Sequence, residues 1–488
     1  MNKIVKTNQT THLATGALVL AIVSTVNGAE PATTTPASAT PPKPAASSGL
    51  ANDWLREHNQ SLTPWDIGGQ VRARYEVKDG GGSFPARDFR RSGVDNDNSY
   101  FLLREKLHVG YTDNWFGAYV EGRDSSTSGD DRNPNPEADS ADLHQAFVAL
   151  GNTKNFPLTA KIGRQEFVYG DERLVGNADW NNLGRVFDAA KLRYEDKNLW
   201  VDAFSGRVVL ADDGSFNIAN DYDWFSGVYA STRTLIPKQE TQLYLLARDT
   251  SAGSPAATTG SPQAGGPGAR DIYTFGARVK SLPGQFNGWD YGAEAAGQVG
   301  SINLGGVRLD QRAFAASAGG GYTWAKSFGS PRLGIEYNFA SGDSNSKDGK
   351  SGTFENLFPT NHKHYGYMDL IGWRNIHNPR LSASLKPAKP LTLTLDYHLF
   401  WLADTADLFY PEAGGGRSAA GSYGLNPTFD SFVGSELNLD ATYAPKPWLA
   451  LRAGYGHFFV GKYVENSLAG VGGSTGADWL YLQATFSF

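Results

Sequence analysis

Apolar and polar residues alternate along much of the chain from Trp65 onward. In the segment 391–399, which reads LTLTLDYHL, every second residue is apolar or aromatic and most of the residues between are polar. The segment 436–443, which reads ELNLDATY, shows the same alternation. A period of two with one apolar side is typical of a β-strand whose two faces lie in different environments.

Eighteen segments of this kind can be marked along the sequence. They lie near 65–76, 100–112, 115–124, 142–150, 158–168, 187–196, 199–208, 222–234, 239–249, 271–281, 289–299, 311–325, 331–341, 379–386, 390–402, 433–444, 447–459 and 478–488. The pattern therefore predicts an all-β protein.

The connections between these segments alternate in length. Every second connection is short, such as Asp113-Asn114. The long ones are 77–99, 125–141, 169–186, 209–221, 250–270, 300–310, 342–378, 403–432 and 461–477. A transmembrane barrel has short turns at one end and long loops at the other. We therefore predict a single antiparallel up-and-down β-barrel of about eighteen strands, with short periplasmic turns and long extracellular loops.

The first residues have the character of an export signal. Lys3 and Lys6 precede an apolar stretch near 13–26, and small residues follow it. This order is typical of a cleaved signal peptide, and the stretch is too short for a membrane-spanning helix. We predict a signal peptide at 1–29, a tether rich in Pro, Ala, Ser and Thr with a short lead-in at 30–64, and a barrel at 65–488. The expected location is the bacterial outer membrane.

Composition excludes several classes of protein. The chain has no cysteine, so thiol catalysis and zinc–thiolate sites are ruled out. The net charge is −6, and it becomes −8 when Lys3 and Lys6 leave with the signal, so nucleic acid is not an expected partner. No set of nucleophile, base and orienting residue can be assembled from the sequence. We expect no enzymatic activity, no cofactor and no metal.

In a closed barrel, the polar side of each strand faces the lumen and its chemistry determines what passes. Long cations are frequent on this inferred inner face. They are Arg72, Arg74, Arg104, Lys106, Arg123, Lys161, Lys191, Arg193, Arg278, Lys280 and Arg452. The carboxylates on the same face are Glu76, Glu121, Glu294, Glu336, Glu436 and Asp440. Guanidinium groups bind carboxylates through paired hydrogen bonds, so a lumen lined by these cations favours anionic solutes.

Two other interpretations of these positions stay open. Opposite charges could pair across neighbouring strands and only make the wall rigid. The long connections 342–378 and 403–432 could also fold inward as a plug or gate, and Asp343 at the start of the first is a candidate gate residue.

Three stretches resemble the alginate-export family of outer-membrane barrels. The most specific is GRQEFVYGDERLVGNADWNNLGRVFDAAKLRY at 163–194, and the others lie at 340–370 and after 435. The resemblance implies an eighteen-stranded monomeric barrel that exports an anionic polyuronate through an electropositive pore. It implies pore-lining roles for Arg164 and Arg452. Arg173 and Arg185 also match the motif, and they either shape the mouth or pair with Asp171, Glu172 or Asp179. Strict alternation from Ile162 places Arg164 outward, so a lumen position would require a bulge there.

The expected function is passive passage of an anionic polysaccharide, or a similar anionic hydrophilic solute, across the outer membrane. One alternative is a broad-specificity porin for small solutes. Another, from a different class, is a surface carbohydrate-binding or barrel-embedded hydrolytic protein. The expected partners are an anionic saccharide or polyuronate cargo, outer-membrane lipid and the barrel-assembly machinery, and we expect a monomer.

Overall fold

The structure is a computed structural model that describes residues 49–91, 93–152, 154–251, 269–304, 307–412 and 426–488. The predicted signal peptide and the first part of the predicted tether lie outside these residues. The rest of the tether contains a helix, α1 (Leu50–His58), and a 3-10 turn (Gln60–Leu62). Asn52 of α1 donates a hydrogen bond to Asp66 at 2.6 Å, which fastens the helix beside the first strand.

Strands account for most of the described chain. They are β1 (Trp65–Asp79), β2 (Asn98–Thr112), β3 (Phe116–Ser128), β4 (Asp139–Leu150), β5 (Leu158–Gln165), β6 (Phe187–Glu195), β7 (Leu199–Leu210), β8 (Ile218–Thr232), β9 (Gln239–Thr250), β10 (Arg270–Ser281), β11 (Trp289–Leu304), β12 (Val307–Thr323), β13 (Arg332–Ala340), β14 (Lys350–Ser351), β15 (Ile376–Ala388), β16 (Leu391–Leu402), β17 (Phe432–Lys446), β18 (Leu449–Val460) and β19 (Ala477–Ser487). A short helix, α2 (Lys462–Leu468), lies in the last loop.

These strands close into one antiparallel barrel. Each long strand pairs with its neighbours in sequence, and β1 pairs with β19 from Gln70 opposite Ser487 to Asp79 opposite Asp478. The two-residue β14 is not a barrel strand, because it lies in a loop and pairs in parallel with β12. Among the described residues the barrel has eighteen strands, as the sequence pattern predicted.

One predicted connection is wrong. The sequence pattern predicts a long loop at 300–310, but β11 continues to Leu304 and β12 begins at Val307. Alternation of apolar and polar residues continues through 301–304 and 307–310, so both segments extend the flanking strands and pair with each other.

The two faces of the barrel wall have opposite chemistry. Apolar side chains such as Leu107, Phe314 and Ile335 are exposed on the outside. Charged side chains such as Arg74 and Glu76 are buried on the inside. This inverted distribution is the one expected of a barrel whose outer face contacts lipid.

Helices do not contribute a membrane crossing to the described part of the chain, since none is both long and apolar enough to span a bilayer. In chain order, the described outer loops are the first (80–91 and 93–97), second (129–138), third (166–186), fourth (211–217), seventh (341–375), eighth (403–412 and 426–431) and ninth (461–476), whereas most of the fifth and all of the sixth lie outside the described residues. Two of them, the third and the seventh, determine the character of the lumen.

Candidate solute pathway

The third outer loop, 166–186, crosses the inside of the barrel. Asp171 lies 2.8 Å from Arg278 on β10, and Asp179 lies 2.9 Å from Arg104 on β2. These two strands stand on opposite sides of the barrel. A loop that contacts both of them must span the lumen, so it narrows the solute pathway.

The seventh outer loop also folds inward, along the part 352–375. Its Glu355 contacts Arg248 on β9 and Arg270 on β10, each at 2.8 Å. Further along, the backbone N–H of Met368 donates to Glu436 on β17 at 3.1 Å. We refer to 166–186 and 352–375 together as the luminal loops. The inward folding that the sequence left open for 342–378 is therefore seen over 352–375, whereas part of 403–432 lies outside the described residues.

Backbone hydrogen bonds join the luminal loops to each other. The N–H of Phe358 donates to the carbonyl of Leu174 at 2.9 Å, and the N–H of Gly176 donates to the carbonyl of Phe358 at 2.8 Å. The N–H of Thr360 donates to the carbonyl of Glu172 at 2.9 Å. These three hydrogen bonds satisfy backbone groups that lie inside the lumen, so they lower the cost of burying the two loops together.

An apolar cluster fills the space between the luminal loops and the wall. Its buried members include Phe167, Leu174, Phe354, Phe358 and Trp373. Burial of this much apolar surface stabilises the inward position of the loops. The luminal loops thus form a tightly packed constriction of the solute pathway. We call this part of the lumen the constriction.

Three of the predicted pore-lining arginines hold the third loop in place. Arg72 donates to the carbonyls of Asp179 and Asn181 at 2.6 and 2.9 Å. Arg74 donates to the carbonyl of Trp180 at 2.8 Å, and its guanidinium lies 3.9 Å from the centre of the Trp180 ring. Arg104 binds Asp179 through both its carboxylate and its carbonyl. A fourth, Arg123, donates to the carbonyl of Leu183 and to Asp139.

The remaining inward cations pair mainly with carboxylates. The pairs are Lys106 with Glu121 at 3.6 Å, Arg193 with Asp202 at 2.5 Å, Arg278 with Asp171 at 2.8 Å and Arg452 with Asp440 at 3.0 Å. Lys161 instead places its ammonium 3.5 Å from the centre of the Phe147 ring. Charge pairing, the alternative left open by the sequence, therefore accounts for much of the inner face.

Arg164 does not line the lumen. It lies opposite Ala146 and Asp188 in the strand register, on the same face as Ile162, which is 53% exposed on the outside. Its guanidinium binds Asp188 at 2.8 and 3.1 Å. No bulge turns the side chain inward, so the position implied by the family resemblance is corrected to the outer face.

The predicted mouth residues lie in three different settings. Arg173 points into the lumen and contacts Glu336 on β13 at 2.8 Å. Arg185 is buried and donates to the carbonyls of Gly176 and Pro359, so it links the two luminal loops. Asp343 lies at the outer rim, where its backbone N–H donates to Asp407 at 2.9 Å. It therefore belongs to the loop entrance and not to the constriction.

The electrostatics of the constriction keep Asp179 ionised. Burial opposes ionisation, but Arg104, Lys106 and Arg72 outweigh it and hold the pKa of the Asp179 carboxyl below its usual range. The negative charge that ties the third loop to β1 and β2 is thus present throughout the physiological pH range.

Below the luminal loops, at the periplasmic end, lies a cavity of about 730 Å³. We call this cavity the vestibule. Asp171 and Arg173 of the third loop form its roof, and strands β10 to β13 and β15 supply its walls. The turn residues Pro283 and Ala325 lie at its rim, which places its opening on the periplasmic side.

Sequence reasoning missed the cluster that anchors the seventh loop. Arg248 and Arg270 continue the inward positions of β9 and β10, so the alternation around Leu246 could have identified Arg248. Glu355 and Asp179 carry no such signal, because they lie in loops whose path depends on tertiary contacts.

Solved structures with a similar fold are bacterial outer-membrane proteins. OccK2 (OpdF) of Pseudomonas aeruginosa, solved in complex with glucuronate, is 14% identical with a TM-score of 0.51, and the match covers 87% of this chain and 98% of that one. OpdL of the same organism is 12% identical with a TM-score of 0.54, covering 88% and 99%. OccAB4 of Acinetobacter baumannii is 11% identical with a TM-score of 0.52, covering 86% and 98%. At these identities the likeness establishes the fold alone.

At the level of sequence, no curated protein matches the chain. The family described as alginate export matches residues 63–476, which is most of the chain. Together with the closed barrel, this match places the protein in the bacterial outer membrane and indicates a channel rather than an enzyme. The chain belongs to the alginate export family.

Proposed function

We propose that the protein is a passive channel for small anionic saccharides, such as uronates and their short oligomers. The observation that carries the proposal is the presence of like charges directly opposite each other on the inner face. Arg72 lies opposite Arg104, and Lys161 lies opposite Lys191. Like charges in register destabilise a sheet, so their presence calls for a compensating role.

These pairs are only partly neutralised. Lys191 and Arg193 both lie within ion-pair distance of Asp202, at 3.5 and 2.5 Å. Among the described residues, Lys161 has no ion-pair partner within 4.0 Å. Charges set in a low-dielectric wall project a positive potential into the lumen, which raises the local concentration of anions.

The luminal loops favour small solutes over a polymer. Because the third loop spans the barrel from β2 to β10, a wide chain of sugars has no unobstructed path along the axis. The similar barrel OccK2 (OpdF) was solved with glucuronate, which supports the chemical class of the cargo but not its identity here.

A broad-specificity porin is the second candidate, and the balanced charges of the vestibule favour it. The rate at which liposomes containing the purified protein swell distinguishes a channel for anionic saccharides from a broad-specificity porin. We expect faster swelling in glucuronate than in glucose of equal osmolarity, and little swelling in polyuronate. Equal rates for glucuronate and glucose would support the broad-specificity porin instead.

A further inference from the structure

The first and last strands of the barrel are neighbours in the wall that no loop joins directly. Neighbouring long strands elsewhere follow each other along the chain, whereas β1 and β19 stand at opposite ends of the strand order. Their pairing runs from Gln70 opposite Ser487 to Asp79 opposite Asp478. We call this pair of strands the seam. Because pairing alone holds the two strands side by side, the seam is the place where the wall opens most easily.

The backbone pairing of the seam stops before β1 does. Gly69 and Phe488 exchange two backbone hydrogen bonds, each at 3.0 Å, and within the described chain these are the last between the two strands. β1 begins earlier, at Trp65, and pairs there with β2 on its other side. Alternate residues of a strand point their peptide groups to the same side, so those of Ile67 and Trp65 point the same way as those of Gly69. This stretch of β1 would otherwise be a free strand edge.

Two side chains of α1 occupy this edge. Oδ1 of Asn52 accepts a hydrogen bond from the backbone N–H of Ile67 at 2.8 Å. Arg56, one helical turn further along, donates to the backbone carbonyl of Trp65 at 2.8 Å. Both groups belong to the row of peptide groups that Gly69 shares with β19. The helix thus continues, with side-chain atoms, the hydrogen bonding that β19 makes further up the seam.

The face of α1 towards β1 is specific for this position. Asn52 is 5% exposed, and its amide donates to the Asp66 carboxylate at 2.6 Å while it accepts from Ile67. Asp66 in turn lies 3.5 Å from His108 on β2. Glu57, on the other side of the helix, is exposed. A helix of only nine residues is marginal on its own, so its place depends on contacts such as these.

We propose that α1 is a clamp that keeps the periplasmic end of the seam closed. Asn52 and Arg56 take the place of strand residues beside the edge of β1 and prevent this end of the wall from fraying. An uncovered strand edge is also a template for pairing with another chain, so the clamp withholds the edge from such pairing. The inference is independent of the proposed function, because the wall must stay closed whatever solute passes.

Hydrogen–deuterium exchange of the purified full-length protein, measured at single backbone amides by mass spectrometry, tests the clamp. In Asn52→Asp the donor to Asp66 is lost and a like charge is placed beside it, whereas Arg56→Gln is the milder change. Glu57→Gln, at an exposed position of the same helix, is the matched control. The amide of Val109, which pairs with Val120 of β3 away from the seam, reports whether the barrel has folded.

We expect exchange at Ile67 to accelerate roughly three- to tenfold in both clamp variants, the range expected for loss of one hydrogen bond. Exchange at Phe488 should also accelerate, whereas Val109 and the Glu57→Gln protein should match the unaltered protein. If Asn52→Asp also accelerates exchange at Val109, the whole barrel has loosened and Arg56→Gln decides. The clamp is overturned if exchange at Ile67, or at Phe488, is as slow in the deciding variants as in the unaltered protein.

Discussion

Glu355 lies 2.8 Å from Arg248, and both side chains are almost completely withdrawn from solvent. Arg270 binds the same carboxylate, and Asp223 binds Arg248 at 2.6 Å. Two cations and two carboxylates thus form a closed cluster between the seventh loop and the wall. Glu355 is the carboxylate of the seventh loop in this cluster, and it acts beside the backbone hydrogen bonds to the third loop and the apolar cluster.

Replacement of Glu355 by Gln should loosen the seventh loop. Removing one partner of a buried ion pair costs about 3–5 kcal/mol, because the remaining cations are left without a counter-charge. We expect larger fluctuations of the open-channel current and a lower unfolding temperature in detergent. Asp348→Asn, an exposed change in the same loop, should alter neither, and equal behaviour of the two variants would contradict the anchoring role.

Replacement of Arg72 by Gln should release part of the third loop. Its guanidinium makes hydrogen bonds to two loop carbonyls, and loss of such charged hydrogen bonds costs about 1.5–3 kcal/mol each at most. The single-channel conductance should rise or become variable. Arg312→Gln, at an exposed position on β12, is the control and should leave it unchanged.

Acid should weaken the third-loop anchor only at low pH. Because the folded-state pKa of Asp179 lies below its unfolded value of about 3.9, its contribution is complete above that value and is lost as the pH falls through the folded pKa. The difference in conductance between the unaltered protein and Asp179→Asn should be constant from pH 8 to about 5 and shrink below about 4. A difference that already disappears near pH 6 would contradict this assignment.

Lys161 and Arg164 provide a direct test of inward and outward placement. They are three residues apart on β5, but Lys161 faces the lumen and Arg164 binds Asp188 on the outer face. Lys161→Gln should shift the zero-current potential in a salt gradient in the direction that reports a higher relative permeability to cations. Arg164→Gln should leave this potential unchanged. A shift with Arg164→Gln alone would reverse the assignment.

The fold was predictable because the barrel wall repeats one local rule. Alternation such as that at 436–443 marks strands, and loop lengths mark the two ends, so neither requires knowledge of distant contacts. Arg164 shows the same rule at work: alternation from Ile162 placed it outward, and the register agrees.

The constriction was less predictable. Residues such as Arg72 and Arg104 were recognised as inward cations, but their partners are loop carbonyls near residue 180. The path of a loop depends on contacts between residues far apart in sequence, such as Glu355 with Arg248. Periodicity contains no information on such pairs. It also could not show which inward charges are neutralised.

The central claim is that the lumen favours anions, and the zero-current potential of the purified protein tests it most directly. The bilayer separates two concentrations of potassium glucuronate, and no variant is needed. The account predicts a potential whose sign reports preferential passage of glucuronate over potassium. A potential of the opposite sign, showing preference for the cation, would contradict it.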